Sequence, residues 1–450
     1  MTLACFKAYD IRGKLGTELT PEIAYLTARG YCEIYQPKKV VTGRDVRSSS
    51  ALLQRALKAG FADSGVDVMD VGICGSEEMY YATMHHNLCG GMIVTGSHNP
   101  LDYNGIKVVR EQATPVSIES GLQEISDYVE KHLGEEKPVI TNWGKFSNGD
   151  IKPEYIKHLN KYFNDSLKPL KIVVNAGNGP AGRIIDMLEK TLPFEFIKIN
   201  HEKNPTFPNG IPNPLLPENR KQTADAVKAN NADMGIAWDG DFDRCFLFDE
   251  KGEYISTYYL LGMLSEFFLK KHNGAKVVYD PRLNWSTLES IKKLGGSAVI
   301  SKAGHSFIKQ KMNEEDAVFG GEVSGHFFFK SFGYCDSGMI PWIIVVSHMC
   351  ETGQTLSEII GERYQEFPSC DERNLTLSSS AKSIMDKVED YYKEQAETIS
   401  HLDGLSVEFS DWRFNLRPSN TEPLVRLNVE SRNNVELMQQ KLSEVLSLIQ

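Results

Sequence analysis

Hydrophobic and polar positions along the chain follow one pattern that repeats three times. An apolar, β-branched run follows a lysine and ends in a polar loop: KKVVTGRD at 38–45, LKIVVNAGNG at 170–179 and AKVVYDPRLN at 275–284. Each is followed by a helix-like stretch and a second strand: VDVMDVG at 66–72, FEFIKIN at 194–200 and GSAVISK at 296–302. Another helical stretch leads to a third strand: GGMIVTGSHNP at 90–100, ADMGIAWDGDFDR at 232–244 and DAVFGGEVSGH at 316–326. Strands alternating with helices predict βαβ units and sheets covered on both faces. The tail departs from this pattern. Residues 379–399 read as a helix, followed by the strands LSVEFSDWRFNLR and EPLVRLNVES and a last helix from Asn433. The chain therefore reads as three related α/β/α domains and a smaller C-terminal α+β domain, at 1–150, 151–252, 253–366 and 367–450.

Composition narrows the classes of function. At 450 residues the chain is too long for one core, since domains run to roughly 100–200 residues. Its 41% hydrophobic and 24% charged residues are ordinary for a globular protein. No apolar run approaches the roughly 20 residues needed to span a bilayer; the longest, 339–346, contains Pro341. The start of the chain lacks the basic-then-apolar order of an export signal. The eight cysteines show no CxxC and sit partly in apolar runs, as expected of reduced, buried thiols in the cytoplasm. A net charge of −11 argues against a nucleic-acid partner, and an acidic protein that binds phosphate must gather cations locally.

The third strand of every repeat ends in an unusual loop: TGSHNP, DGDFDR or GEVSGH. Ligands of open α/β sheets bind beyond the carboxyl ends of strands, so three equivalent loops are expected to meet in one cleft. Asp239, Asp241 and Asp243 stand two apart in the second loop, and such carboxylates repel one another unless a cation neutralises them. Hard oxygen ligands suit Mg²⁺. A solvated acidic turn is the bland reading. An EF-hand fails because its sixth position, where glycine is required, is Arg244. An aspartyl-phosphate enzyme, with Asp239 as nucleophile, fits the spacing.

In the first loop, Ser97 is a candidate nucleophile whose phosphate ester, held against a metal, would be a phosphoryl donor. Gly96 permits close backbone approach, although a plain turn uses the same residue types. His98 and Lys107 are candidate proton carriers, whereas His85 and His86 read as a helix surface with no carboxylate to complete a ligand set. Glu322 and Ser324 fall on one side of an extended segment and suit sugar hydroxyls. Arg417, Ser419, Asn420 and Thr421 offer a guanidinium and turn N–H groups for a phosphate. Arg12, Arg44, Arg282 and His305 are isolated candidates.

These segments together resemble the α-D-phosphohexomutase superfamily over the whole chain: TGSHNP, DGDFDR, GEVSGH and RPSNTEP occur in that family's order. FKAYDIRGKLG, FPNGIPNPLLPE, YCDSGMIPW and DWRFNLRPSNTEPLVRLNVESR are similar to its bacterial phosphomannomutase branch, which feeds GDP-mannose synthesis. The resemblance implies four domains in a heart-shaped arrangement: a phosphoserine-loop domain, a metal domain, a sugar domain and a phosphate-binding C-terminal domain. It implies phosphorylation of Ser97, and Mg²⁺ held by Asp239, Asp241, Asp243 and the phosphoserine. Arg12, His98 and Lys107 would serve catalysis. Arg244, Arg282, His305, Glu322, Ser324 and His326 would contact substrate, while Arg417, Ser419, Asn420 and Thr421 would hold its idle phosphate. Hexose 1,6-bisphosphate would be activator and intermediate, and mannose 1- and 6-phosphate the substrates, with glucose or dual specificity as the alternative. Gly96 stands where alanine is commoner, Phe242 where many relatives have glycine and Arg282 where some have lysine; Val323 occupies a variable position. A metal-dependent phosphatase and a silent sugar-phosphate-binding protein are the rivals from other classes.

Overall fold

The computed structural model describes residues 3–136, 139–377, 380–418 and 424–449. The chain forms two compact units, one of residues 1–254 with 325–355, the other of residues 255–324 with 356–450. Among the described residues no helix is long and apolar enough to cross a membrane.

The first unit contains the first two repeats. Its leading sheet runs Ile11–Lys14, Tyr103–Arg110, Gly90–Val94, Lys39–Arg44, Asp67–Ile73, Phe146–Asn148. The strands from the repeat are parallel, while Tyr103–Arg110 turns back antiparallel on Gly90–Val94 and sets Lys107 opposite Ile93. Gly90–Val94 and Met234–Trp238 are buried throughout. Strands covered on both faces are expected to read as such unbroken apolar runs. In the second repeat, Lys171–Asn175 pairs in parallel with Glu195–Ile199 and Met234–Trp238, and Cys245–Phe248 folds back antiparallel on the latter.

Local chemistry starts the helices on cue. Thr20 caps Pro21–Tyr35 by accepting from the Ile23 N–H at 3.2 Å, and Pro21 occupies the first turn, where no N–H is needed. The helix Ser76–His85 begins with Glu78 accepting from the Gly75 N–H at 2.9 Å. Pro341, which interrupts the longest apolar run, lies in the first turn of Ile340–Thr352 and starts that helix rather than breaking it.

In the second unit, Ser297–Ile300, Lys276–Tyr279 and Phe319–Gly321 are parallel neighbours. The C-terminal part is an antiparallel sheet ordered Arg373–Thr376, Leu424–Ser431, Trp412–Pro418, Leu405–Glu408, Thr398–Ser400. LSVEFSDWRFNLR is two strands, with Glu408 opposite Arg413 across a turn. The helix expected over 379–399 spans Ala381–Tyr392, and the strand Thr398–Ser400 takes up the end of that range. A core of Trp412, Phe414, Leu416, Leu427, Val429 and Tyr392 fills this part. Buried Glu430 joins it to the third repeat: it pairs with Arg413 at 2.7 Å and accepts from the Asn284 N–H at 2.9 Å and from the Tyr258 hydroxyl. The mixed α/β sheets and the smaller C-terminal domain agree with the sequence reading, and all eight cysteines are free thiols, seven of them buried.

Candidate active site

The loops after Gly90–Val94 and Met234–Trp238 meet in the first unit. Ser97 is 3% exposed and donates its hydroxyl to Asp239 Oδ2 at 2.7 Å. His98 Nδ1 lies 3.0 Å from Ser97 Oγ. Since the Ser97 proton goes to Asp239, the imidazole N–H donates to Oγ.

Two devices permit this contact. Ser97 itself adopts a left-handed backbone, φ 44°, and Gly240 lies so close that a Cβ there would stand 2.3 Å from the Ser97 carbonyl oxygen. The Ser97 loop is also strapped from beneath by a pair missed in the sequence. Buried Arg47 donates to the carbonyls of Ser97 at 3.0 Å, Asn99 at 2.5 Å, Pro100 at 2.7 Å and Tyr103 at 3.2 Å. Asp45 accepts from the Gly96 N–H at 2.9 Å and the Thr95 hydroxyl at 3.1 Å. Of the guanidiniums in this stretch, Arg47 carries the loop, and Arg44 reaches the Asp45 carbonyl at 3.4 Å.

Asp239, Asp241 and Asp243 present oxygens within 4.8 Å of one another and are all buried. Lys107 donates to Asp241 Oδ2 at 2.8 Å and to Asp243 Oδ2, and Ser76, at the start of its helix, donates to Asp241 Oδ2 at 2.6 Å. Asp241 Oδ1 and Asp243 Oδ1 are buried and accept no hydrogen bond among the described residues. Buried carboxylate oxygens in that condition are costly, so the donor set fits a hard divalent cation. Burial, then the charges of Asp243 and Asp241, pushes the Asp239 carboxyl up to about 7. Burial opposes charge on Asp241 too, but the Lys107 ammonium holds that carboxyl well below the ordinary range. Lys107 is itself held above its ordinary range, against its burial, by Asp241 and Asp243. Burial, with Arg244 and Arg12 nearby, pushes His98 well below the imidazole range and keeps it neutral.

The other candidates of this unit surround the cluster. Arg12 pairs with Asp10 at 2.7 Å and donates to the Thr95 carbonyl at 3.1 Å. Arg244 donates its backbone N–H to Asp239 at 3.3 Å and its Nε to His326 Nε2 at 2.9 Å. His85 stacks on Tyr81, and His86, which the sequence left without a carboxylate, lies 3.1 Å from Glu154.

In the second unit, Arg282 is not isolated. Its Nε and Nη2 reach Asp280 at 3.0 and 2.6 Å, and Nη2 lies 3.4 Å from Ser324 Oγ. Ser324 donates to Glu322 at 3.0 Å, and Glu322 accepts from the Gly304 N–H, beside His305 at the start of its helix. Arg417 pairs with Glu372 at 3.2 Å. Ser419, Asn420 and Thr421 lie outside the described residues.

Residues 4–135, 153–252 and 256–367 match phosphoglucomutase/phosphomannomutase alpha/beta/alpha domains I, II and III, and residues 372–446 match the phosphoglucomutase/phosphomannomutase C-terminal domain. A phosphomannomutase of Salmonella montevideo is 51% identical over 454 residues, covering 99% of each chain. A protein named phosphohexose mutases from Xanthomonas campestris is 48% identical, covering 100% of each. A crystal structure of a phosphoglucomutase/phosphomannomutase family protein from Burkholderia thailandensis superposes with a TM-score of 0.88 at 29% identity, covering 99% of this chain and 97% of that one.

Proposed function

Because the chain belongs to the phosphoglucomutase/phosphomannomutase family, we propose that it interconverts mannose 1-phosphate and mannose 6-phosphate through a phosphorylated Ser97. It is an isomerase working by phosphoryl transfer, and hexose phosphates are its substrate class. The observation that carries the reading is the contact of Ser97 Oγ with Asp239 inside a buried carboxylate cluster. A plain turn or a binding loop has no need of a serine in that place, and an aspartyl-phosphate enzyme would present Asp239 to substrate, not to a serine hydroxyl.

Phosphoserine 97 gives its phosphoryl group to the free hydroxyl of a hexose phosphate: the bond from Oγ to phosphorus breaks as the bond from the sugar oxygen forms. The proton lost by the sugar hydroxyl balances the one that Oγ regains, and His98, with Nδ1 3.0 Å from Oγ, is placed to hold a hydrogen bond to that oxygen as it departs. Asp239, Asp241, Asp243 and the phosphoserine would hold Mg²⁺, which would supply positive charge against the transferring group. Lys107, Arg12 and Arg244 add fixed positive charge on this chain's side. The hexose 1,6-bisphosphate formed turns end for end, so that its other phosphate returns to Ser97. Arg417, Ser419, Asn420 and Thr421 hold the idle phosphate, and Glu322, Ser324, His326, Arg282 and His305 hold the sugar. The bisphosphate also primes unphosphorylated enzyme. Exclusion of water protects the phosphoserine meanwhile. Supply of GDP-mannose synthesis follows from this activity.

The test is isomerisation of mannose 1-phosphate and glucose 1-phosphate with Mg²⁺ and a trace of hexose 1,6-bisphosphate. Preferential turnover of the mannose substrate is expected. Comparable turnover of both sugars makes the enzyme a dual mutase, and free phosphate without isomer refutes the mutase reading in favour of a phosphatase.

A further inference from the structure

The geometry points to Asp336 as a positioning residue that fixes the side chain of Arg244 through His326. Asp336 lies on the short strand Cys335–Asp336, is fully buried, and stands 2.8 Å from His326 Nδ1. A carboxylate only accepts, so the Nδ1 nitrogen carries the proton. Arg244 approaches the other ring nitrogen, Nε2, at 2.9 Å with its Nε–H. A guanidinium only donates, so Nε2 must present its lone pair. The Arg244 contact requires a bare Nε2 and the Asp336 contact a protonated Nδ1, so together they select the neutral ring with its proton on Nδ1.

The chain carboxylate, imidazole, guanidinium ends at the reaction centre. The antiparallel bridge between Arg244 and His326 holds the two backbones in register. Arg244 Nε is also 3.7 Å from Asp239 Oδ2, whose neighbour is the Ser97 hydroxyl. A guanidinium whose Nε is taken by His326 has its position and plane fixed, and its terminal N–H groups stay committed to one direction. A planar donor fork of that kind is suited to the oxygens of a phosphoryl group, where placement decides its value. Asp243, His326 and Asp336 also have the spacing of metal ligands. However, both imidazole nitrogens are engaged and a guanidinium lies alongside, so orientation fits the contacts better than a second cation.

This role presupposes the phosphoryl-transfer reading, and the experiment separates the two. The ring ¹⁵N signals of His326 in the labelled protein, assigned by their loss in His326→Gln, are expected to show a protonated Nδ1 and a bare Nε2. A proton on Nε2, or on both nitrogens, overturns the role whether or not the protein is a mutase. In turnover, Asp336→Leu is expected to lower kcat about 10- to 100-fold, as loss of an outer partner commonly does, with KM little changed. Asp336→Asn, whose amide oxygen can accept the same proton, should recover much of that loss. In an Arg244→Ala background, Asp336→Leu should cost little more, because its effect passes through the missing guanidinium. A loss that persists in full in that background shows that Asp336 merely supports the fold and overturns the role. So does a second divalent ion that binds wild-type protein and is lost in Asp336→Leu.

Discussion

Ser97 Oγ and Asp239 Oδ2 are 142 positions apart in sequence and 2.7 Å apart in space. Gly240 makes that approach possible. Its missing Cβ would stand 2.3 Å from the Ser97 carbonyl oxygen, whereas a Cβ at Gly96 would meet the Arg47 guanidinium, at 2.3 Å from Nε. The first clash is with the backbone of Ser97 itself, the second with a side chain that supports the loop from beneath. Gly240→Ala is therefore expected to be the worse variant, losing about 1–3 kcal/mol to overpacking and about 10²-fold in turnover through displacement of Ser97. Gly96→Ala should lose less of both. Thermal melts and steady-state rates on the two variants check the order.

Lys107 neutralises part of the carboxylate cluster by donating to both Asp241 and Asp243. Lys107→Met should lower the Tm of the metal-free protein, because two buried carboxylates, Asp241 and Asp243, then lose their cation. Added Mg²⁺ should raise the Tm of this variant more than that of the wild type, since the ion no longer competes with an ammonium. Melting curves with EDTA and with Mg²⁺ measure both effects. Turnover should fall in either condition.

The raised carboxyl of Asp239 gives the metal-free protein a pH signature. Its pKa in the fold, about 7, lies above the unfolded value. Between the two values the folded chain holds a proton that the unfolded chain has released. Stability from this group is thus present below the ordinary carboxylate range and lost as pH rises toward 7. Metal binding displaces the same proton and so strengthens with pH. The Mg²⁺-induced gain in Tm is expected to be larger at about pH 8 than at about pH 5, and Asp239→Asn should flatten the difference.

Glu430 is a structural counterpart outside the site. It is fully buried, pairs with Arg413 at 2.7 Å and accepts from the Asn284 N–H at 2.9 Å. Glu430→Ala would strand the Arg413 guanidinium in the interior and should cost about 3–5 kcal/mol. The midpoint of urea unfolding measures it.

Much of this was legible in the chain because strand-end loops announce themselves. TGSHNP and DGDFDR interrupt apolar runs with residues that regular structure has no use for, and their equivalent places in two repeats foretell that they meet. What was hidden depends on which way a side chain turns. Arg44 and Arg47 occupy one short stretch, and only the fold shows that Arg47 carries the serine loop. Ser76 and Asp336 are ordinary residues in sequence; helix capping aims the first at Asp241, and strand pairing brings the second to His326. Arg282 read as a lone cation although Asp280, two positions earlier, engages both its Nε and Nη2 in the fold. Phe242 adopts a left-handed backbone with φ 47°, which a phenylalanine does not announce.

The most direct measurement is the mass of the intact protein, and of its Ser97 peptide, after brief exposure to hexose 1,6-bisphosphate with Mg²⁺. One added phosphoryl group on Ser97, discharged by mannose 1-phosphate with formation of bisphosphate and absent from Ser97→Ala, is the expected result. Phosphate on Asp239, or isomerisation that survives in Ser97→Ala, would contradict it.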